Sequence, residues 1–218
     1  GRISWVALMI ATKICGITNL YDAQAVAAHN ASAIGFIFYE KSPRKISIED
    51  AKFISKNLTK DISKVGVFVN HKKEFIDEAI AEIPLGMIQL HGDESPNFCN
   101  KFDLPVLKAL RIKNKESLSA MNDYNVAGFL LDTFSNNQYG GTGETFDWSI
   151  LNGKSENPFI LSGGLNPDNI LDAIDSVNPV AVDVNSGVES SPGIKDLEKI
   201  KSLFKNLKNI KSTGFHFG

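Results

Sequence analysis

Cysteine is scarce in this chain, with two among 218 residues, Cys15 and Cys99. Two isolated thiols give neither the dense framework of a small disulfide-stapled protein nor the clustered spacing of a zinc site. A chain of this length buries enough apolar surface to fold without such supports. We therefore expect reduced cysteines, no metal site and a cytoplasmic location.

Long hydrophobic runs and an excess of one charge are also missing. The longest apolar run covers residues 5–11, and Lys13 follows two residues later. A membrane-spanning helix needs about 20 apolar residues, so we expect no membrane association. The formal net charge is −2, which provides no basic surface for nucleic acid. A small molecule is the expected partner.

The first residues have the character of an extension. The apolar run leads directly into strand-like sequence after Met9, with no small-residue cleavage site between them. We therefore expect residues 1–8 to be a non-native or disordered N-terminal extension. Residues 9–218 are expected to form a single domain.

What the sequence has is an alternation of apolar stretches of strand length with stretches of helical period. The predicted strands cover residues 11–17, 33–38, 65–69, 87–90, 106–112, 126–131, 159–161 and 181–184. The predicted helices cover residues 20–29, 48–58, 73–83, 95–102, 115–121, 147–151, 167–174 and 197–207. Continuous runs of valine, isoleucine and phenylalanine are typical of buried parallel strands. Eight such units predict an α/β fold, a closed (β/α)₈ TIM barrel, with a doubly wound open sheet as the alternative.

Glycine-rich turns follow two of the predicted strands. Gly163 and Gly164 stand between strand 7 and a helix whose expected N-cap is Asn166, and Asn185 and Ser186 precede a glycine after strand 8. Loops after strands 7 and 8 are the recurrent phosphate site of this barrel class. The glycines are also compatible with a purely conformational role in tight turns. Their position favours a phosphate site.

Cys15 and Asp132 stand at the carboxyl ends of strands 1 and 6, on either side of this expected phosphate site. A thiol and a carboxyl group on opposite sides of a sugar phosphate can serve as base and acid. Alone, Cys15 is compatible with a buried apolar role and Asp132 with a turn cap. Arg44, in the loop after strand 2, suits a carboxylate or phosphate, or is a solvated charge.

Seven motifs, in order, resemble those of the phosphoribosylanthranilate isomerase family of tryptophan biosynthesis, from about Thr12 to the last helix. They are KICGITNLYDA, GFIFYEKSPRKIS, VGVFVN, IQLHGDES, LLDT with a following glycine-rich loop and TFDW, LSGGLNPDNI, and VDVNSGVESSPGIKD. The family is a (β/α)₈ barrel that converts N-(5'-phosphoribosyl)anthranilate to 1-(o-carboxyphenylamino)-1-deoxyribulose 5-phosphate without a cofactor. The resemblance therefore implies an Amadori rearrangement.

The resemblance also implies roles for individual residues. Cys15 matches the family's general base, Asp132 its general acid, and Arg44 the arginine that holds the anthranilate carboxylate. The implied phosphate loops contain Gly163, Gly164, Asn185 and Ser186, and the implied pocket wall contains Gln89, His91 and Asp183. Many relatives have serine in place of Asn185, a change that a main-chain contact with phosphate tolerates.

This chemistry sets one condition on the base and leaves two rival functions. A thiolate acts near neutral pH only if the pKa of Cys15 is lowered, and Lys13 on the same strand is a candidate for that effect. The rivals are another phosphate-binding barrel enzyme and a catalytically inactive ligand-binding barrel. We expect a monomer or a homodimer.

Overall fold

The computed structural model describes residues 9–133, 148–151 and 157–218. The expected extension over residues 1–8 and the glycine-rich stretch at residues 140–143 lie outside these ranges. In the described part of the chain, no helix has the length and apolar character needed to cross a membrane. Cys15 and Cys99 are both buried free thiols.

Eight parallel strands form a closed barrel in chain order, which confirms the predicted fold. The strands are β1 (Ala11–Ile14), β2 (Ala33–Ile37), β3 (Ser63–Phe68), β4 (Met87–Leu90), β5 (Val106–Arg111), β6 (Gly128–Asp132), β7 (Phe159–Ser162) and β8 (Ala181–Val184). β1 pairs with β8 to close the barrel, and this register places Lys13 beside Asp183. The side chains of Lys13 and Asp183 therefore belong to neighbouring backbone positions.

The connections between the strands are α-helices and short 3₁₀ helices. The α-helices are α1 (Leu20–Ala28), α2 (Ile48–Asn57), α3 (Lys73–Glu82), α4 (Pro96–Cys99), α5 (Ile170–Val177) and α6 (Leu197–Leu207). The 3₁₀ helices are Lys115–Asp123, Trp148–Leu151 and Ser186–Val188.

Three connections differ from the expected α-helices, and one of them is the 3₁₀ helix Trp148–Leu151. The helix predicted over 95–102 is the single turn α4, which ends at the C-cap Asn100. The stretch after β5 is a 3₁₀ helix in which Leu118 and Met121 are buried. Because a 3₁₀ helix has three residues per turn, residues three apart lie on the same side of it.

Helix starts were predicted correctly at two of three positions. The side chain of Ser47 accepts a hydrogen bond from the Asp50 amide, and Asp196 caps α6. Asn166 is not the N-cap of α5, because that position is Asn169. The side chain of Asn166 instead accepts from the amides of Asp168 and Asn169 and caps the turn that precedes the helix.

An antiparallel hairpin follows β8 and lies close to the carboxyl end of the barrel. Its strands are β9 (Glu189–Ser191) and β10 (Ile194–Lys195), in which Glu189 and Lys195 are cross-strand partners. Gly193 in the connecting turn has φ of +82°, and the preceding residue is Pro192. Proline followed by a glycine of positive φ is typical of a type II turn, which fixes this hairpin locally.

Candidate active site

A cavity of about 350 Å³ opens at the carboxyl end of the barrel. All of the predicted site residues line it: Cys15, Arg44, Gln89, His91, Asp132, Gly163, Gly164, Asp183, Asn185 and Ser186. Ile37, Val67, Ser162 and Leu165 complete the lining. Residues far apart in sequence thus meet at the end of the barrel where active sites of this fold are found.

Cys15 follows β1, and its amide donates a hydrogen bond to the Val184 carbonyl at 2.9 Å. Gly35 on β2 leaves room for the thiol, because a Cβ there would lie 2.7 Å from Cys15 Sγ. Burial raises the pKa of the Cys15 thiol, and the charge of Lys13 offsets this only in part. The condition of a lowered pKa is therefore not met in the ligand-free protein, because desolvation outweighs the nearby ammonium group.

Lys13 forms a buried ion pair with Asp183. The distance from Lys13 Nζ to Asp183 Oδ1 is 2.8 Å, and Ser162 Oγ donates to Asp183 Oδ2 at 3.1 Å. Burial lowers the pKa of Lys13, but the charges of Asp183 and Cys15 and the hydrogen bonds to them together raise it above its ordinary value. Lys13 therefore stays an ammonium group beside Cys15, and Asp183 holds that charge in place.

A chain of hydrogen bonds leads from β4 to Asp132. Gln89 Nε2 lies 2.8 Å from His91 Nδ1, and His91 Nε2 lies 3.2 Å from Asp132 Oδ2. Gln89 is almost fully buried, whereas the side chains of His91 and Asp132 are about one fifth exposed. The amide thus orients the imidazole, and the imidazole orients the carboxyl group at the cavity.

The glycine turn after β7 presents main-chain donors to the cavity. Gly163 and Gly164 have φ of +97° and +66°, a conformation that favours glycine. Among the described residues, neither amide donates a hydrogen bond to the protein. A Cβ on Gly164 would meet nothing within 4 Å, so the space above this turn is open. Free amides beside an open space are suited to an anion.

Arg44 is engaged within the protein. Its Nε lies 2.9 and 3.0 Å from the two carboxylate oxygens of Glu189, and its Nη2 lies 2.9 Å from Glu189 Oε2. Lys195 Nζ lies 2.9 Å from Glu189 Oε1. Burial alone would raise the pKa of Glu189, but hydrogen bonds and charge from Arg44 and Lys195 lower it. The guanidinium group of Arg44 is therefore held by hydrogen bonds to Glu189 and is not a solvated loop charge.

The arrangement can bind an anion at one side of the cavity and transfer protons at the other. In the described part of the chain, no group of three or more His, Cys, Asp and Glu residues could hold a metal ion. The polar groups that line the cavity include a thiol, two carboxyl groups, an imidazole, a guanidinium group, side-chain amides and hydroxyls, and main-chain amides. These groups suit acid–base chemistry on an anionic substrate.

Comparison with known proteins shows the family. The family model described as N-(5'phosphoribosyl)anthranilate (PRA) isomerase matches residues 12–206. The chain belongs to the N-(5'-phosphoribosyl)anthranilate isomerase family. The enzyme of that name from Citrifermentans bemidjiense is 45% identical over 203 residues, which cover 93% of this chain and 98% of the relative.

Solved structures of this family have the same fold. The phosphoribosyl anthranilate isomerase of Thermotoga maritima superposes with a TM-score of 0.85 at 44% identity, covering 93% of this chain and 100% of that one. A further phosphoribosyl anthranilate isomerase, in complex with reduced 1-(o-carboxyphenylamino)-1-deoxyribulose 5-phosphate, has a TM-score of 0.82 at 42% identity. It covers 93% of this chain and 100% of that one.

Two buried charged residues next to this cavity were not predicted from the sequence. Glu189 and Lys195 lie in the stretch that follows strand 8, where only Asn185 and Ser186 were singled out. A signal was present, because an acid and a base flank Pro192 and Gly193 directly after a barrel strand. Proline and glycine in this order predict a tight turn, and a turn brings its flanking residues together.

Proposed function

We propose that this chain catalyses the Amadori rearrangement of N-(5'-phosphoribosyl)anthranilate to 1-(o-carboxyphenylamino)-1-deoxyribulose 5-phosphate. One observation carries the proposal: Cys15, Asp132, Arg44 and the Gly163–Gly164 turn line a single cavity in a chain of the isomerase family. The substrate has a phosphate, a ribose and a carboxylate, and the cavity offers partners for each.

The substrate is expected to lie across the cavity with its ribose between Cys15 and Asp132. Its phosphate accepts hydrogen bonds from the amides of Gly163 and Gly164 and from the turn at Asn185 and Ser186. Its anthranilate carboxylate pairs with Arg44, which keeps three N–H donors after one Nε–H and one Nη2–H have been used on Glu189. Gln89 and His91 form the wall beside Asp132.

Ring opening is the first chemical step. The lone pair of the anthranilate nitrogen forms a double bond to C1' while the bond from C1' to the ring oxygen breaks. The ring oxygen takes the proton of Asp132, so the carboxyl group acts as general acid. His91 holds this carboxyl group at the cavity through the 3.2 Å contact.

Proton removal from C2' is the second step. The thiolate of Cys15 takes this proton, the C–H electron pair forms a C1'–C2' double bond, and the iminium pair returns to nitrogen. The enolamine then gains a proton at C1' and loses the hydroxyl proton at C2' to give the ketone. Because burial raises the pKa of Cys15, the ammonium of Lys13 is needed to stabilise the thiolate when it forms.

Turnover is the direct test. Purified protein is mixed with freshly prepared phosphoribosylanthranilate, and the fluorescence of the substrate is followed alongside a Cys15→Ala control. We expect the wild type to consume the substrate and the variant to be slower by orders of magnitude. A wild type that binds the reduced product but consumes no substrate would be an inactive ligand-binding barrel, and the proposed activity would be wrong.

The assembly state and the cytoplasmic location stay predictions. The isomerase of Thermotoga maritima is named as a dimeric enzyme, and one of its solved structures is of monomers generated from it. We propose that the present chain is a monomer or a homodimer, and light scattering of the purified protein distinguishes the mass of one chain from that of two. A larger mass would contradict this proposal.

A further inference from the structure

The hairpin after β8 brings a buried carboxylate and a buried ammonium group together behind the cavity. Glu189 and Lys195 face each other across β9 and β10, and their side chains are only 4% and 0% exposed. Neither residue lines the cavity itself. Burying charged groups is costly unless they are paired, so the contacts of this pair indicate what it is for.

The Glu189 carboxylate faces two cations, and both of its oxygens are used. Arg44 donates from Nε and Nη2, and Lys195 donates from Nζ. Two hydrogen bonds from one edge of the guanidinium group fix its plane as well as its position. One carboxylate neutralises one of these two cations, so the contact leaves a positive charge available at the edge of the cavity.

Lys195 extends the same contact to the phosphate side of the cavity. Its Nζ lies 3.1 Å from Asn185 Oδ1 and 3.4 Å from the Asn185 carbonyl. The loops that carry Arg44 and Asn185 both come close to Gly16. A Cβ on Gly16 would lie 2.6 Å from Asn185 Oδ1 and 2.9 Å from Arg44 Cδ. Arg44 and Asn185 are therefore neighbours held by one Glu189–Lys195 pair.

We propose that Glu189 is a positioning residue for the substrate carboxylate, acting through Arg44, with Lys195 balancing its charge and joining it to the Asn185 loop. This inference rests on the proposed function, because Arg44 is the group that would receive the anthranilate carboxylate. Glu189 holds the Nε and Nη2 edge of the guanidinium group, so the remaining donors point in one fixed direction. The separation between the carboxylate partner and the phosphate loop is fixed by the same contacts.

The test compares two inhibitors that differ only in the aromatic carboxylate: the reduced product and its anilino analogue without the carboxyl group. The dissociation constant of the anilino analogue divided by that of the reduced product measures how much the carboxylate contributes to binding. We expect Glu189→Gln to reduce this ratio roughly tenfold, which corresponds to about 1.4 kcal/mol. A purely electrostatic role predicts the opposite sign, because removing a negative charge near Arg44 should favour the carboxylate.

Glu189→Asp is the second variant, in case the glutamine variant does not fold. It retains the charge but withdraws the carboxylate from Arg44, so we expect the ratio to fall as it does in Glu189→Gln. Lys199→Gln is the matched control, because within the described residues the one hydrogen bond of Lys199 Nζ goes to the main-chain carbonyl of Glu189. This control should leave the ratio unchanged. In an Arg44→Ala background, Glu189→Gln should no longer change the ratio, as a double-mutant cycle requires for coupled residues.

The outcomes separate this inference from the proposed function. If the wild type neither consumes phosphoribosylanthranilate nor binds its reduced product, the proposed function is wrong. If the wild type does both, but folded Glu189→Gln and Glu189→Asp variants keep the wild-type ratio, only the positioning role is wrong. A ratio that rises in Glu189→Gln would also overturn it.

Discussion

The two ends of the barrel are built from different side chains. At the carboxyl end, a thiol, two carboxyl groups and an imidazole line a cavity, with the buried ammonium of Lys13 next to them. At the amino end, the first residues of β1, β2 and β8 are alanines, and Phe217 from the C-terminal tail packs among them in one buried apolar cluster. Burying charge is costly, and the buried Lys13–Asp183 pair lies at the end of the barrel where ligand binding can use it.

The tail closes the amino end with both apolar and polar contacts. Phe217 is 2% exposed and lies edge-on to Phe215, with ring centres 5.1 Å apart. The hydroxyl of Ser63 donates to the Phe217 carbonyl, and Thr213 Oγ1 donates to the Val180 carbonyl. Substitutions at this end should therefore change stability, and substitutions at the other end should change catalysis.

The largest effect is expected from Cys15→Ala and Asp132→Asn at the carboxyl end. Each should lower kcat by about 10² to 10⁴, the usual contribution of a proton-transfer group. The variants should still fold and bind the reduced product, because neither side chain supports the barrel walls. Steady-state kinetics and calorimetric binding measure the two effects. Near wild-type kcat in either variant would remove that residue from the mechanism.

Phe217→Ala tests the amino end. Removing a buried phenyl ring should cost about 3 kcal/mol, which lowers the Tm of a domain of this size by roughly 6–12 °C. kcat/KM at a temperature where the variant is folded should match the wild type. Phe53→Ala is the matched control, because that ring is 58% exposed. A loss of kcat/KM in the Phe217 variant would contradict the separation of the two ends.

The protonation state of Cys15 gives a third test. Because burial raises its pKa, Cys15 in the ligand-free protein should be a thiol at neutral pH, with a smaller thiolate population than an ordinary cysteine has. The population should increase only as the pH rises above the ordinary range of a thiol. Ultraviolet absorbance of the thiolate, taken as the difference between wild type and Cys15→Ala, isolates this residue from Cys99. A Cys15 thiolate already present at neutral pH would contradict the prediction.

The smallest effect is expected from a pair of glycine substitutions. Gly164 and Gly214 both have positive φ and open space where a Cβ would stand, but they lie at opposite ends of the barrel. Alanine should cost each about 1 kcal/mol of stability. Only Gly164→Ala should also weaken the binding of inorganic phosphate, by several fold, because its methyl group enters the cavity. Equal phosphate affinity in the two variants would place the anion elsewhere.

The sequence predicted the barrel and its catalytic end because both depend on local signals. Buried parallel strands read as apolar runs, and polar residues after those runs must meet at one end of a closed barrel. The predicted start of α5 was wrong because Asn166 and Asn169 both suit an N-cap, and the side chain of Asn166 caps the turn before the helix instead. The raised pKa of Cys15 could not be predicted, because it depends on burial created by distant strands.

Long-range ion pairs were the other feature that could not be predicted from the sequence. The Arg44 and Glu189 side chains are 145 positions apart, and those of Lys13 and Asp183 are 170 apart. No periodicity or motif specifies such pairs, since they follow from the register in which β8 closes on β1. The tail had no recognised role for the same reason, because the space that Phe217 fills exists only when alanines from several strands meet.

The most direct test of the account is a crystal structure of the protein with the reduced product bound. We expect the phosphate on the amides of Gly163 and Gly164, the sugar between Cys15 and Asp132, and the aromatic carboxylate on Arg44. A phosphate bound to Arg44 would reverse the substrate in the cavity and leave Cys15 and Asp132 without a sugar between them. That result would contradict the assignment of Cys15 and Asp132 as the base and acid of the reaction.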